Sequence, residues 1–220
     1  MIDVSPDSNR NQFRRRRVEL LVELANEVVA QNGSCKIIDI GGTRGFWHVW
    51  KNNLPVENVT VTCVNMDIGH ADYGDVDSRI NVITGDARSL SFATDFEYDI
   101  AFSNSVIEHV GIWRDMRAMA AEVHRVSPRF IIQTPNYWFP IEPHARTPFL
   151  HWLPEPIRHR IVMSRKCGFW RKAKTKSEAV EIVQSAFILD YGQMRELFPD
   201  AEIIRERAFG ITKSIIAIKR

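Results

Sequence analysis

Short apolar runs and helical patterns alternate along most of the chain. An amphipathic helix is predicted over residues 13–32, because its apolar residues recur on one stripe: Val18, Leu21, Ala25 and Val28. Five apolar runs then predict buried strands: Lys36–Ile40, Val59–Val64, Ile80–Thr84, Asp99–Ser103 and Arg129–Thr134. Continuous apolar strands separated by crossovers are typical of a parallel sheet that helices cover on both faces.

The rest of the pattern predicts a different strand connection at the end of the chain. Helices are expected over residues 113–126, 177–186 and 191–197, followed by strands over 202–206 and 214–219. The connection between these two strands is too short to hold a crossover helix. The two strands must therefore be antiparallel. The expected fold is therefore α/β, a doubly wound seven-stranded sheet that is mostly parallel, with an antiparallel C-terminal hairpin and helices on both faces.

A proline-rich stretch interrupts this rhythm. Six prolines and several aromatic residues fall between Pro135 and Lys176, which predicts an elaborated loop with short helices over the carboxyl edge of the sheet. A length of 220 residues fits a single domain, residues 1–220. That domain is expected to carry the N-terminal helix at about 13–32 and a substrate-cover insertion at about 136–176.

The composition, 45% hydrophobic and 25% charged, is that of an ordinary globular protein. No apolar run approaches the roughly 20 residues of a membrane span, and the polar, arginine-rich start is unlike a secretory signal. We therefore expect a cytoplasmic protein. Cys35 and Cys63 flank or lie in apolar runs and are expected to be reduced core thiols.

Charge is distributed unevenly, although the net charge is only +2. Eight Lys or Arg residues and no acid lie between Pro156 and Ser177, and the run Arg14–Arg17 opens the first helix. Solvated helical faces explain both runs. The alternative is a surface for an anionic substrate, a nucleic acid or a membrane, so peripheral membrane contact stays open.

The first strand ends in a turn suited to a nucleotide-like ligand. Asp39 is followed by Gly41, Gly42, Thr43 and Gly45, and then by an aromatic-rich segment. Glycines permit positive φ and close approach, while the N–H groups of a helix start remain free to face a ligand.

Polar groups follow three further strands, at the edge where open α/β sheets bind ligands. Asp67 lies 22 residues after Gly45, near the spacing of an acid that accepts both ribose hydroxyls. Asp86 can accept an exocyclic amine, and Ser103-Asn104 ends the fourth strand. Each residue alone is common in caps and turns, but together they indicate one site.

These motifs resemble the class I S-adenosylmethionine-dependent methyltransferases, specifically the small bacterial branch called type 11 or 12. The matching segments within residues 34–135 are Asp39-Ile-Gly-Gly-Thr-Arg-Gly45, Val64-Asn-Met-Asp67, Gly85-Asp-Ala-Arg-Ser-Leu90 and Phe102-Ser-Asn-Ser-Val-Ile-Glu-His109. The resemblance implies a Rossmann-like fold, S-adenosyl-L-methionine as cofactor and S-adenosyl-L-homocysteine as product. It also implies cofactor contacts from Asp39, Gly41, Gly42, Thr43, Gly45, Asn65, Met66, Asp67, Asp86, Ala87, Ser103 and Asn104.

Two positions depart from the family pattern. Thr43 stands where the family has the middle glycine of Gly-x-Gly-x-Gly. The ribose partner could be Asn65, with Met66 against adenine, but Asp67 is preferred because a carboxylate binds a diol better than an amide. The rival dinucleotide fingerprint Gly-x-Gly-x-x-Gly is not met, and no Gly-Lys-Ser/Thr of a phosphate loop occurs.

An alcohol or phenol acceptor would need a base as well as alignment with the methyl group. The candidate catalytic residues are His144, which is favoured, and His109. The expected acceptor contacts are Tyr137, Trp138, Glu142 and His144. No metal is expected, because Glu142, His144 and His151 match no known ligand spacing.

The predicted function is O-methylation of a small metabolite, a sugar or a lipid-linked acceptor, without nucleic acid as partner. One alternative is an RNA or protein methyltransferase that uses the basic segment 158–176. Another is a non-catalytic regulator that binds S-adenosylmethionine.

Overall fold

The computed structural model describes residues 12–50, 58–67 and 77–220. The strands are β1 (Cys35–Ile40), β2 (Val59–Asn65), β3 (Ile80–Thr84), β4 (Ile100–Asn104), β5 (Arg129–Pro135), β6 (Glu202–Ala208) and β7 (Ile211–Lys219). The α-helices are α1 (Gln12–Asn32), α2 (Arg44–Trp50), α3 (Trp113–Val126), α4 (Glu155–Ser164), α5 (Lys176–Gln184) and α6 (Tyr191–Leu197). Two 3-10 turns span Ile107–His109 and Leu150–Trp152.

The strands form one sheet in the order β3-β2-β1-β4-β5-β7-β6. Strands β1 to β5 are parallel, whereas β7 is antiparallel to both β5 and β6. The predicted mostly parallel sheet with an antiparallel C-terminal hairpin is therefore confirmed. The strand order reverses at β1, which makes its carboxyl end the switch point where such sheets bind ligands.

Helices cover both faces of the sheet, as predicted. Successive strand residues point to opposite faces, so Ile37 packs in one core with Leu24 of α1 and Trp47 of α2. Its neighbour Ile38 belongs to the other core, which contains Met119 of α3 and residues of α6. Continuous apolar runs were thus the correct signal for strands buried on both sides.

The observed bounds differ from the expected ones mainly at the C-terminal hairpin. There β7 begins at Ile211, which pairs with Ala208 across a two-residue turn. Phe209 and Gly210 have φ of 52° and 78°, the left-handed pair that a type I′ turn requires. Between the first three predicted strands the sequence has the segment 46–53 and a polar loop around residues 69–77. Residues 51–53 and 69–76 of these lie outside the described residues.

Residues 136–176 contain the second 3-10 turn and α4. Val162 and Ala173 pack with Ala179 of α5 in a small apolar cluster, and a second cluster joins Leu150 to Cys167. The expected cover therefore has apolar clusters of its own, and the single-domain boundaries stay a prediction. All three cysteines are buried free thiols. Within the described ranges, no helix is long and apolar enough to cross a membrane.

Candidate functional site

The turn after β1 holds the backbone close to neighbouring elements. Gly41 has φ of +80° and donates its N–H to the carbonyl of Val64 at 2.7 Å. A Cβ on Gly41 would lie 2.3 Å from Val106 Cγ2, so a side chain would collide there. Thr43 replaces the family glycine for a local reason, because its Oγ1 accepts the N–H of Phe46 (3.1 Å) and caps α2.

Asp39 is a buried acid beside this turn. Its side chain accepts a hydrogen bond from Trp47 Nε1 at 2.8 Å. Burial raises the pKa of Asp39 to about 7, although the Trp47 hydrogen bond opposes the shift. The carboxyl group is therefore poised to ionise near neutral pH when a cationic group approaches.

The first cavity, of about 470 Å³, opens at the carboxyl ends of β1 and β4. Its lining consists of Arg14, Asp39, Gly41, Gly42, Thr43, Gly45, Phe46, Val49, Trp50, Phe102 and Asn104. Arg14 was expected to be solvated and is instead part of this wall. The sequence could have predicted that Arg14 faces the protein, because residues 14, 17 and 21 fall on one helical stripe.

The second cavity, of about 400 Å³, lies at the ends of β2 and β3 and shares Gly41 with the first. Its lining consists of Gly41, Val64, Asn65, Met66, Gly85, Asp86, Ala87, Arg88, Val106, His109 and Val110. The Asn65 amide lies 3.4 Å from the carbonyl oxygens of both Gly41 and Gly42. Asp67 is exposed and lies outside this lining, although sequence reasoning preferred it.

Asp86 is fixed within the second cavity by its neighbour Arg88. Arg88 donates through Nε (2.9 and 3.0 Å), Nη2 (2.6 Å) and its backbone N–H (2.9 Å). These hydrogen bonds lower the pKa of Asp86, so the carboxylate stays ionised at neutral pH.

Two residues at the end of β4, Ser103 and Asn104, were predicted to contact the cofactor, but only Asn104 lines one of these cavities. Ser103 is fully buried and lies outside both linings. Its hydroxyl donates to the carbonyl of Ile40 at 3.0 Å and so joins β4 to β1. Asn104 lines the first cavity, and its Oδ1 accepts a hydrogen bond from Arg17 at 2.6 Å.

Arg17 is the centre of a buried polar network beneath the first cavity. It pairs with Glu206 of β6, a fully buried carboxylate that accepts Arg17 Nε at 3.0 and 3.1 Å and also bonds Nη2. Nη1 also donates to Gln133 at 2.7 Å, and Nη2 donates to Ser214 at 3.2 Å. The expected solvation of Arg14–Arg17 is thus wrong for Arg17, because its guanidinium lies inside the protein and ties α1 to the sheet.

The two predicted catalytic histidines face each other. Their Nε2 atoms are 3.1 Å apart, and the ring planes cross at 78°. His109 Nδ1 lies 2.8 Å from the carbonyl oxygen of Ser185, and His144 Nδ1 lies 2.7 Å from Glu142 Oε1. Burial lowers the pKa of His109. Burial acts the same way on His144, but the hydrogen bond and charge of Glu142 outweigh it and raise the pKa of His144.

Glu108 lies beside this pair and is fully buried. Thr134 donates to its Oε2 at 3.0 Å, whereas Oε1 has no hydrogen-bond partner among the described residues. Burial raises the pKa of Glu108 to about 7. Sequence reasoning grouped His151 with Glu142 and His144, but the His151 ring instead lies 2.8 Å from the carbonyl oxygen of Tyr137.

The third cavity, of about 450 Å³, lies between residues 136–176 on one side and α3, α5 and the segment before α6 on the other. Two predicted acceptor contacts, Tyr137 and Glu142, line it, whereas Trp138 is 62% exposed and lies outside it. The rest of the lining is largely apolar and includes Trp113, Met116, His151, Arg158, Trp170, Phe187, Leu189 and Gln193.

The basic run of residues 158–176 is only partly available to a partner. Arg171 pairs with Glu178 at 2.6 Å, Lys176 Nζ lies 2.6 Å from His159 Nδ1, and Arg158 lines the third cavity. Most of the other cations of the run are exposed, as expected for a solvated face.

Asp39→Asn is expected to flatten the fall of stability with rising pH. The folded carboxyl keeps its proton up to about pH 7, whereas the unfolded chain loses it near 3.8. Stability from this group is therefore present at low pH and lost as the pH rises through that window, by at least about 1 kcal/mol. Urea unfolding at pH 5 and pH 8 tests this, with the exposed Glu196→Gln as control. Parallel profiles for Asp39→Asn and the wild type would contradict it.

A family model described as a methyltransferase domain matches residues 23–128. No curated protein matches the chain at a significant level. The sequence segment that matches contains the glycine turn, Asn65, Asp86 and the histidine-bearing turn after β4.

Solved structures are similar to the chain in fold. A protein of Anabaena variabilis, assigned as a methyltransferase of an antibiotic biosynthesis pathway, is 16% identical, with a TM-score of 0.53 over 87% of this chain. This chain spans 64% of that protein's length. Magnesium protoporphyrin IX methyltransferase of Synechocystis, solved with bound SAH, is 13% identical, with a TM-score of 0.52 over 94% of this chain and 84% of that one. The PH0226 protein of Pyrococcus horikoshii is 16% identical, with a TM-score of 0.51 over 98% of this chain and 92% of that one. At such identities the likeness shows the fold.

Proposed function

The chain carries a class I S-adenosylmethionine-dependent methyltransferase domain, and from this premise we propose that it transfers a methyl group from S-adenosyl-L-methionine to an oxygen of a small acceptor. The observation that carries the proposal is the pair of cavities that meet at Gly41, one suited to an amino acid and the other to a nucleoside.

The first cavity has the charges that an amino-acid group needs. Asp39 offers a carboxyl to an ammonium group, and Arg14 offers a cation to a carboxylate. The second cavity has apolar walls that include Val64, Met66 and Val106, between the polar groups of Asn65 and Asp86. Such a combination suits a flat base and a ribose.

These residues define how the cofactor would be held. Asp39 and Arg14 would bind the methionine part, Asn65 the ribose, and Asp86 with Ala87 the adenine. When bound, S-adenosyl-L-methionine supplies a methyl group activated by the adjacent sulfonium. The protein then has to exclude water and align the acceptor atom with that methyl group.

Asn65→Ala is expected to weaken S-adenosyl-L-homocysteine binding by about tenfold, because it removes hydrogen bonds worth about 1.4 kcal/mol. Asp67→Ala is expected to change the affinity by less than about twofold, since its side chain is exposed outside the second cavity. Isothermal titration calorimetry on both variants makes the comparison. The reverse order would assign the ribose to Asp67, the residue preferred from the sequence.

Oxygen is the proposed acceptor atom because the histidine pair lies between two cavities. His109 lines the second cavity, Glu142 lines the third, and His144 contacts both residues. In the proposed arrangement, a hydroxyl bound at the third cavity would lie on the side of the ring nitrogens, and the methyl group would lie on the side of the second cavity. Methylation of an alcohol or phenol requires that its hydroxyl lose a proton, and the ring nitrogens can accept that proton.

A labelled-methyl assay tests the proposal. The purified protein is incubated with S-adenosyl-L-methionine carrying a radioactive methyl group and with small-molecule, lipid, RNA and protein fractions of a cell extract. Label is expected in the small-molecule or lipid fraction, in base-stable and acid-stable ether-like products. Label in RNA or protein would overturn the proposed acceptor class. Cofactor binding without any transfer would instead support a non-catalytic regulator.

A further inference from the structure

We propose that Glu108, His109 and His144 bind a divalent first-row transition-metal cation between the second and third cavities. Each of the three residues offers one ligand atom, and these atoms all lie within 4.8 Å of one another. Glu108 and His109 lie on the turn after β4, whereas His144 belongs to the cover.

The hydrogen bonds of the two rings determine where their lone pairs point. The carbonyl of Ser185 can only accept, so His109 Nδ1 must carry the proton. Glu142 accepts through Oε1 from His144 Nδ1 and through its other oxygen from the N–H of Ala145. In the neutral rings, both Nε2 lone pairs therefore face each other at 3.1 Å, which is repulsive unless a positive species lies between them.

Either a shared proton or a metal ion could lie between the two Nε2 atoms. The surroundings of Glu108 favour one of these two species. A proton would bridge the two nitrogens but would leave Glu108 Oε1 buried, with no partner in the part of the chain that the structure describes. An unpaired buried polar atom is strongly unfavourable. A cation satisfies both nitrogens and the carboxylate together, so it explains all three groups.

The geometry and the ligand types indicate the class of metal. At metal–nitrogen distances of about 2.0–2.1 Å, two nitrogens are about 2.9 Å apart at a right angle and about 3.3 Å at the tetrahedral angle. The observed 3.1 Å lies between these values. Two imidazoles and one carboxylate favour Zn²⁺ or Fe²⁺ over Mg²⁺. Ser185 and Glu142 supply the outer hydrogen bonds that metal-binding histidines typically make.

The site would deepen the proposed function, on which this part of the inference rests. Three protein ligands leave a position open, and a cation there lowers the pKa of a hydroxyl that binds to it. The released proton would pass to solvent, so His144 would act as a ligand instead of as a base. Sequence reasoning missed the cluster because His109 and His144 are 35 residues apart and lie on different elements.

Calorimetry on chelator-treated protein, without any methyl donor, tests the binding directly. One Zn²⁺ per chain is expected to bind the wild type, and Co²⁺ is expected to give the visible absorption of a low-symmetry site. His109→Gln and His144→Gln should each weaken Zn²⁺ binding by about 100-fold or more, and Glu142→Gln, which removes an outer hydrogen bond, by about 10- to 100-fold. His48→Gln, an exposed histidine on α2, should leave the affinity unchanged.

The controls separate this inference from the proposed function. Thermal melts and S-adenosyl-L-homocysteine binding identify any variant that fails to fold. Equal Zn²⁺ binding by the wild type and a folded His109→Gln/His144→Gln protein would overturn the metal site, and so would tighter binding of Mg²⁺ than of Zn²⁺. Either result would leave cofactor binding and methyl transfer untouched, whereas loss of methyl transfer with intact Zn²⁺ binding would contradict only the proposed function.

Discussion

Arg17→Met is expected to lower the free energy of unfolding by about 3–5 kcal/mol, because it leaves a buried carboxylate without its counter-charge. Glu206 is fully buried, and Arg17 is only 7% exposed. The Arg17 guanidinium also donates to Asn104 and Gln133, so its loss would leave two buried acceptors and one half-buried acceptor short of a donor. Urea unfolding followed by circular dichroism measures the change.

Two further variants isolate the charge pair. Arg16→Met, at an exposed neighbouring position, should change stability by less than about 0.5 kcal/mol. Arg17→Met/Glu206→Gln should recover part of the loss, since the uncompensated charge is gone and only hydrogen bonds are missing. Equal stability of the Arg16 and Arg17 single variants would show that the pair contributes nothing.

Gly41→Ala is expected to reduce S-adenosyl-L-homocysteine affinity by about 100-fold or more, equivalent to about 2.7 kcal/mol. The added Cβ would lie 2.3 Å from Val106 Cγ2, so either the turn or the segment after β4 must move. Gly41 lines both the first and the second cavity and Val106 lines the second, so that movement distorts both cavities. Calorimetric titration of the purified variant gives the affinity.

Gly33→Ala is a matched control for this substitution. Gly33 also has φ of +80°, but among the described residues, apart from its chain neighbours, no heavy atom lies within 4 Å of a Cβ built there. Both variants therefore carry the same backbone strain, of about 1–2 kcal/mol, and only Gly41→Ala adds a collision at the cavities. Comparable affinities for the two variants would mean that the turn does not shape the cofactor site.

Local periodicity predicted most of the fold. The apolar runs of β1 and β5 and the helical repeat of α3 each appear within one stretch of sequence, and the crossover rule then requires parallel pairing. The turn at residues 209–210 was harder to predict, because Phe209 is exposed and left-handed, and phenylalanine is not a residue type that indicates such a turn. Strand β7 therefore begins earlier than its apolar pattern suggested.

The candidate site was predictable where one segment carries the chemistry, as in the glycine turn. Asn65 lines the second cavity and Asp67 does not, whereas the preference for Asp67 came from the chemistry of a carboxylate and not from its position at the strand end. Which of the two binds ribose stays a prediction. The pairing of Arg17 with Glu206 and the meeting of His109 with His144 depend on tertiary contacts between distant segments. A run of four arginines gives no indication of which one is inside.

The Arg17–Glu206 pair also bears on the order of events during synthesis. The two residues are separated by 189 positions, and the N-terminal residue leaves the ribosome first. During synthesis, Arg17 on the apolar face of α1 therefore has no Glu206 to pair with until almost the whole sheet has been translated. The wall that Arg14 and Asn104 give the first cavity is accordingly a late product of folding, and binding competence should emerge only after β6 has docked.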